Sequence, residues 1–169
     1  MQGTIGISPA DVGVASSVPQ FTLGVLGLVV DPSDGSSKLY IYGRAAAAIT
    51  GRGYVVVEQS TPYTFAHITT ANTAPGQFGH GSRVAVAQAP LAVNEYGWFQ
   101  VYGKGPLRTV ASAAKGTRLN TTATAGVVES AGTAGSRAIN GVVLGTATGG
   151  AEATNETAVL TFPSVGATL

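Results

Sequence analysis

Two histidines are the natural starting point for any proton chemistry in this chain. His67 lies in the alternating run 63–69, Tyr-Thr-Phe-Ala-His-Ile-Thr, where a half-buried structural place is expected. His80 sits in the glycine-rich stretch 76–81, Gly-Gln-Phe-Gly-His-Gly. A general base needs an orienting carboxylate, with a nucleophile or water in hydrogen-bond reach. The nearest acid in sequence is Glu95, and no motif ties it to His80. The stretch also lacks the Lys-Ser/Thr ending of a phosphate-cradling loop, so it reads as a connector. The eight acids are scattered, and no pair has a spacing that predicts a glycosidase couple. Asp31 and Asp34 share one turn and supply too few oxygens for a calcium loop. Cysteine is absent, which removes disulfides and thiolate metal sites. No catalytic residue, metal or cofactor is expected.

The elements that would position any functional surface are strands. Residues 39–45 (Leu-Tyr-Ile-Tyr-Gly-Arg-Ala) and 99–105 (Phe-Gln-Val-Tyr-Gly-Lys-Gly) are near copies set 60 positions apart. Each alternates, ends in Tyr-Gly plus a cation, and follows an apolar run and a turn. Reuse of a hairpin module is the simplest source of such self-similarity. The first unit runs from 25–30 through an Asp-Pro-Ser-Asp-Gly turn to 38–43. The second runs from 84–88 through Pro90 and Asn94 to 98–103. A weaker third unit pairs 141–147 with 158–162 around a long polar tip. With 53–59 and 63–69, about eight strands are expected, and no segment longer than about ten residues has a helical period. Short helical turns fit only 45–48 and 110–114. Short strands separated by Gly, Pro and Asn clusters predict an all-β fold, a compact sandwich or barrel of repeated hairpins.

Composition narrows the function. Only 10% of the 169 residues are charged, the net charge is +1, and the nine cations are spread singly. Nucleic-acid binders gather Lys and Arg into a patch, so no nucleic-acid partner is expected. The longest apolar run is far shorter than the roughly 20 residues that span a bilayer, and the first residues lack a signal-peptide pattern. A soluble chain made in a cytoplasm, without a membrane partner, is therefore expected. Little charge leaves little to oppose association.

The organisation expected is an extended N-terminal arm over 1–20 and a single all-β domain over 21–169. The arm is rich in Gly, Ser and Ala, and its isolated apolar residues include Ile5, Ile7, Val12 and Val14. It either folds back on its own domain or reaches a neighbouring subunit. An aromatic face is expected as well. Aligning the two copies puts Tyr40, Tyr42, Trp98 and Tyr102 opposite Leu39, Ile41, Phe99 and Val101, because strand side chains alternate. The aromatic set forms either a second packed layer or partner anchors.

The run 96–104, Tyr-Gly-Trp-Phe-Gln-Val-Tyr-Gly-Lys, follows Val-Ala-Val-Ala-Gln at 84–88 and precedes a Thr/Ala/Gly-rich segment at 119–126. Over residues 21–165 this pattern resembles the small head decoration, or cement, proteins of tailed bacteriophages. The resemblance implies a non-enzymatic virion protein on the outer capsid surface. It would be a homotrimer that bridges neighbouring subunits of the major capsid protein and stabilises the shell. The residues expected to make contact are Ile5, Ile7, Val12 and Val14 of the arm, with Trp98 and Tyr102 if their face points outward. A phage tail or fibre component, or a glycan-binding β module, is the competing class.

Overall fold

The computed structural model describes residues 7–33, 35–111, 113–147 and 154–169. Among the described residues it is all-β, with ten strands in one hydrogen-bonded sheet and no helix. The strands are β1 (Leu26–Val30), β2 (Ser37–Ala45), β3 (Val55–Glu58), β4 (Thr64–His67) and β5 (Val84–Ala87). They continue with β6 (Tyr96–Thr109), β7 (Arg118–Thr121), β8 (Val128–Glu129), β9 (Arg137–Leu144) and β10 (Thr154–Thr168). The expected short helical turns do not form: Ala45 ends β2, Ile49 bridges to Leu91, and residues 110–114 contribute no helix among those described.

The pairings close on themselves twice. β2, β4, β3, β5 and β6 are successive neighbours, and β6 pairs back to β2. β6, β10, β9, β7 and β8 repeat the arrangement, with β8 returning to β6. The 14-residue β6 is thus the shared strand, its first half pairing with β2 and its second with β10.

The two near copies found in the sequence lie side by side. Tyr42 is opposite Trp98 and Ile41 opposite Phe99 in antiparallel register, with an irregularity between Leu39 and Tyr40. Alternation then sorts the side chains as the pattern requires. Ile41, Phe99 and Val101 enter one cluster with Phe65, Val56 and Leu91, and the rings of Phe65 and Phe99 lie 4.4 Å apart. Val55, Val57, Leu107, Leu119, Ile139 and Leu160 belong to a second cluster.

A third cluster lies on the other face of β2 and β6. Tyr40, Tyr42 and Trp98 gather there with Val29 and Ile7, with Val12, Phe21 and Leu23 packed against them. Residues 7–20 run over this face and are held by reciprocal backbone hydrogen bonds between Ser16 and Tyr96. The Gln20 N–H donates to the Tyr42 hydroxyl at 3.0 Å. In this structure the segment covers its own body.

Candidate interaction surface

The histidines stand apart. His67 ends β4, stacks on Tyr54 with centroids 5.1 Å apart, and its Nε2 accepts from the Thr50 N–H at 3.4 Å. Burial pushes its pKa down. His80 is exposed in a turn, its backbone N–H donating to the Gln77 carbonyl. Among the described residues no three His, Asp or Glu side chains converge as metal ligands would. The closest ion pairs are local: Lys38 with Asp31, and Arg83 with Glu58 at 3.4 Å. Lys38 and the hydrogen bonds from Ser33 hold the Asp31 carboxyl well below its ordinary range.

What the fold presents instead is an apolar outer face on its second circuit. On β10 the side chains alternate, so Ala158 and Leu160 are buried while Val159 and Thr161 face out. Strand register then lines up a row across four strands. Val159 lies opposite Lys104 of β6 and Val143 of β9, and Val143 lies opposite Arg118 of β7. The next row places Tyr102 opposite Thr161. Val143, Val159 and Tyr102 are all substantially exposed, and the cations stand at the two ends of the valine row.

Phe162 completes the patch. It is 60% exposed, its ring centroid lies 5.7 Å from that of Tyr102, and its φ is 51°. A bulky residue in the left-handed region is a true outlier. It falls where the pairing of β10 with β9 shifts register, between Leu160 and Ser164. The bulge turns the ring outward instead of continuing the alternation. Strain held at an exposed aromatic, with no burial to compensate for it, is the kind of feature that clusters at functional surfaces.

The residues singled out from sequence fall in different places. Ile5 lies outside the described residues. Ile7 is buried against Val29, Tyr40, Tyr42 and Trp98, and Val12 is half-buried beside them. Val14 is exposed. Trp98 is only 2% exposed, boxed by Phe21 at 5.1 Å and Tyr42 at 5.0 Å, so the chain itself covers it and it presents no outward face. Tyr102 parts company with Trp98 and stands on the outer face.

The residues that pack over Trp98, among them Ile7, Val12 and Phe21, leave Tyr102 uncovered. Beside it Gly103 departs from regular strand geometry in a bend, where φ is +91° and the Ser37 carbonyl oxygen would lie 2.4 Å from an added Cβ. Gln100 braces the bend, its side-chain amide donating to the Tyr102 and Lys104 carbonyls at 3.1 and 2.9 Å. Sequence reasoning missed Val143, Val159 and Phe162. The alternation of 158–162 signalled that one set of side chains faces outward, but not that Tyr102 would join it. Compared with known proteins, the chain matches no protein-family model and no curated protein sequence.

Proposed function

We propose that this protein is a non-enzymatic head decoration protein of a tailed bacteriophage, which binds the outside of the major capsid protein shell and braces adjoining capsomers as a homotrimer. The observation that carries the reading is the outer face of β6, β9 and β10, where Tyr102, Val143, Val159 and the strained Phe162 form an exposed apolar patch. Apolar patches with polar rims are characteristic of protein contact sites. The resemblance carried by residues 84–126 and the low charge of the chain point the same way.

In this reading the two pairing circuits are small barrels fused through β6, a stiff body suited to bracing. Residues 1–20 act as an arm in which Ile5 is a contact residue, while Ile7 and Val12 secure its root. Val14 and Tyr102 are contact residues, and Trp98 supports the surface from beneath. A trimer touching several capsomers makes each later contact intramolecular, which raises avidity about 10²–10⁴-fold. Binding only the closed lattice stabilises it by mass action.

The competing glycan-binding class asks for coplanar exposed aromatics. The Tyr102 and Phe162 rings are tilted by 35°, which favours insertion into a protein surface over stacking on a sugar. The test is co-sedimentation of the purified chain with shells stripped of it, followed by cryo-microscopy of the loaded particles. Saturable density on the exterior, with the β6/β9/β10 face against the shell, is expected. Shells that stay bare, or turnover of any substrate by the purified chain, would overturn the reading.

A further inference from the structure

A second feature, separate from the outer patch, lies under the N-terminal segment. A cleft of about 330 Å³ opens between residues 9–13 and the face formed by β1 and β2. This is within the usual range for small-ligand sites. Pro9 and Val12 line it from the N-terminal segment, with Val29 across from them, so the cleft has aliphatic walls. Its polar groups are Tyr40, Gln88, Arg52 and the Lys38–Asp31 pair.

These groups are unevenly satisfied. Both Asp31 oxygens are engaged, Oδ2 by Lys38 and Oδ1 by the Ser33 N–H and hydroxyl. Gln88 is 5% exposed and donates to the Val86 carbonyl at 3.0 Å. Tyr40 is likewise 5% exposed, and it lines the cleft. Burial pushes the Tyr40 hydroxyl up to about 12, so it stays a neutral donor at ordinary pH. The Arg52 guanidinium is exposed at the cleft and forms no ion pair among the described residues. Lys38 and Asp31 offset each other, which leaves one positive charge in excess.

We infer that this cleft binds a carboxylate carried on a short aliphatic stem, with Arg52 and the Tyr40 hydroxyl as its donors. The guanidinium fork matches a planar carboxylate in two parallel hydrogen bonds. Gln88 gives the neighbouring polar contact, and the wall of Val12 and Val29 takes the stem. A dianionic phosphate fits less well, because one excess cation leaves its second charge uncompensated. The carboxylate has two possible sources, a free small acid or a glutamate side chain of a protein partner, and both present the same group. The inference does not depend on the decoration reading.

The test is NMR titration of the full chain with butyrate, with the uncharged butyramide, with a capped Gly-Glu-Gly peptide and with inorganic phosphate. Butyrate or the peptide is expected to shift the Arg52 Nε–H and Val12–Gly13 amide signals saturably, whereas butyramide leaves them in place. Arg52→Gln and Tyr40→Phe each weaken binding about tenfold or more, as expected for loss of a charge-assisted hydrogen bond. Both variants should keep the wild-type spectrum elsewhere, since Arg52 is exposed and Phe retains the Tyr40 ring. Tighter binding of the peptide assigns the site to a partner's glutamate, and tighter binding of butyrate to a free acid. The inference is overturned if neither carboxylate shifts these signals, if butyramide or phosphate binds as well as butyrate, or if the two variants bind unchanged.

Discussion

Gly43 and Gly103 occupy the same place in the two repeated strands, and each is glycine for its own reason. A Cβ on Gly43 would press on the Phe65 ring at 2.5 Å and the Tyr63 carbonyl at 2.8 Å. Gly103 needs both its positive φ of +91° and a free path past the Ser37 carbonyl. Gly35, at φ +68° with nothing within 4 Å, carries the conformational demand alone. Gly103→Ala should therefore cost about 2–3 kcal/mol and Gly35→Ala about 1 kcal/mol. Equal shifts of the two urea midpoints at constant slope would refute the steric part of this account.

At the same scale, burial makes His67 harder to protonate in the folded chain than in the unfolded one. The unfolded chain then binds the extra proton, so stability is complete above about pH 6.5 and falls as acid is added below it. His67→Gln should flatten the decline in Tm between about pH 7.5 and about pH 5. Parallel curves for the two proteins would show that His67 contributes nothing to it.

Among the elements, the hairpins were readable because each alternates and each turn announces itself. β1 pairs with β2 around residues 31–36, β5 with β6, and β9 with β10, as the pattern predicts, and β3 and β4, expected only as strands, pair with each other. β7 and β8 were missed because they have four and two residues and carry Asn120, Thr121 and Glu129, which read as loop. Their polarity is nevertheless internal: Thr121 Oγ1 accepts from the Arg137 N–H at 2.9 Å. The outer patch was legible only in half. Alternation puts Tyr102 on the face opposite Phe99 and Val101, whereas Val159 and Val143 were overlooked although they obey the same alternation, and the place of Phe162 depends on a register shift no local pattern encodes. This sets a test for β10. Phe162→Asn relieves left-handed strain of about 1–2 kcal/mol, against a ring contact with Tyr102 worth about 0.5–1.5 kcal/mol. Stability should stay within about 1 kcal/mol of wild type while occupancy on capsid shells falls at least tenfold. Undiminished occupancy would remove Phe162 from the contact surface.

At the scale of the whole molecule, the two circuits and the covering segment have unequal claims on stability. The clusters around Phe99 and Leu160 are closed by strands, and among the described residues only Ala15 of the N-terminal segment packs against the first. The cluster around Trp98 is different, because Ile7 at 4% exposure supplies one of its walls. Burying that one side chain is worth about 1.5–3 kcal/mol, less the entropy of ordering the segment. Residues 1–20 should thus be removable without unfolding the body, but not without consequence. Trp98 is the only tryptophan, so its emission reports directly on the cover. Deletion of residues 1–20 should leave the far-ultraviolet β signature in place, shift the Trp98 emission to longer wavelength and increase binding of an apolar dye. Ile7→Ala should do the same to a smaller degree, since Val12 and Phe21 remain against the ring cluster. If the emission of the truncated chain stays where it was, Phe21 and Tyr42 alone shield the indole and the segment is no cover. If the β signature is lost as well, the segment belongs to the folding unit and cannot be a separable arm.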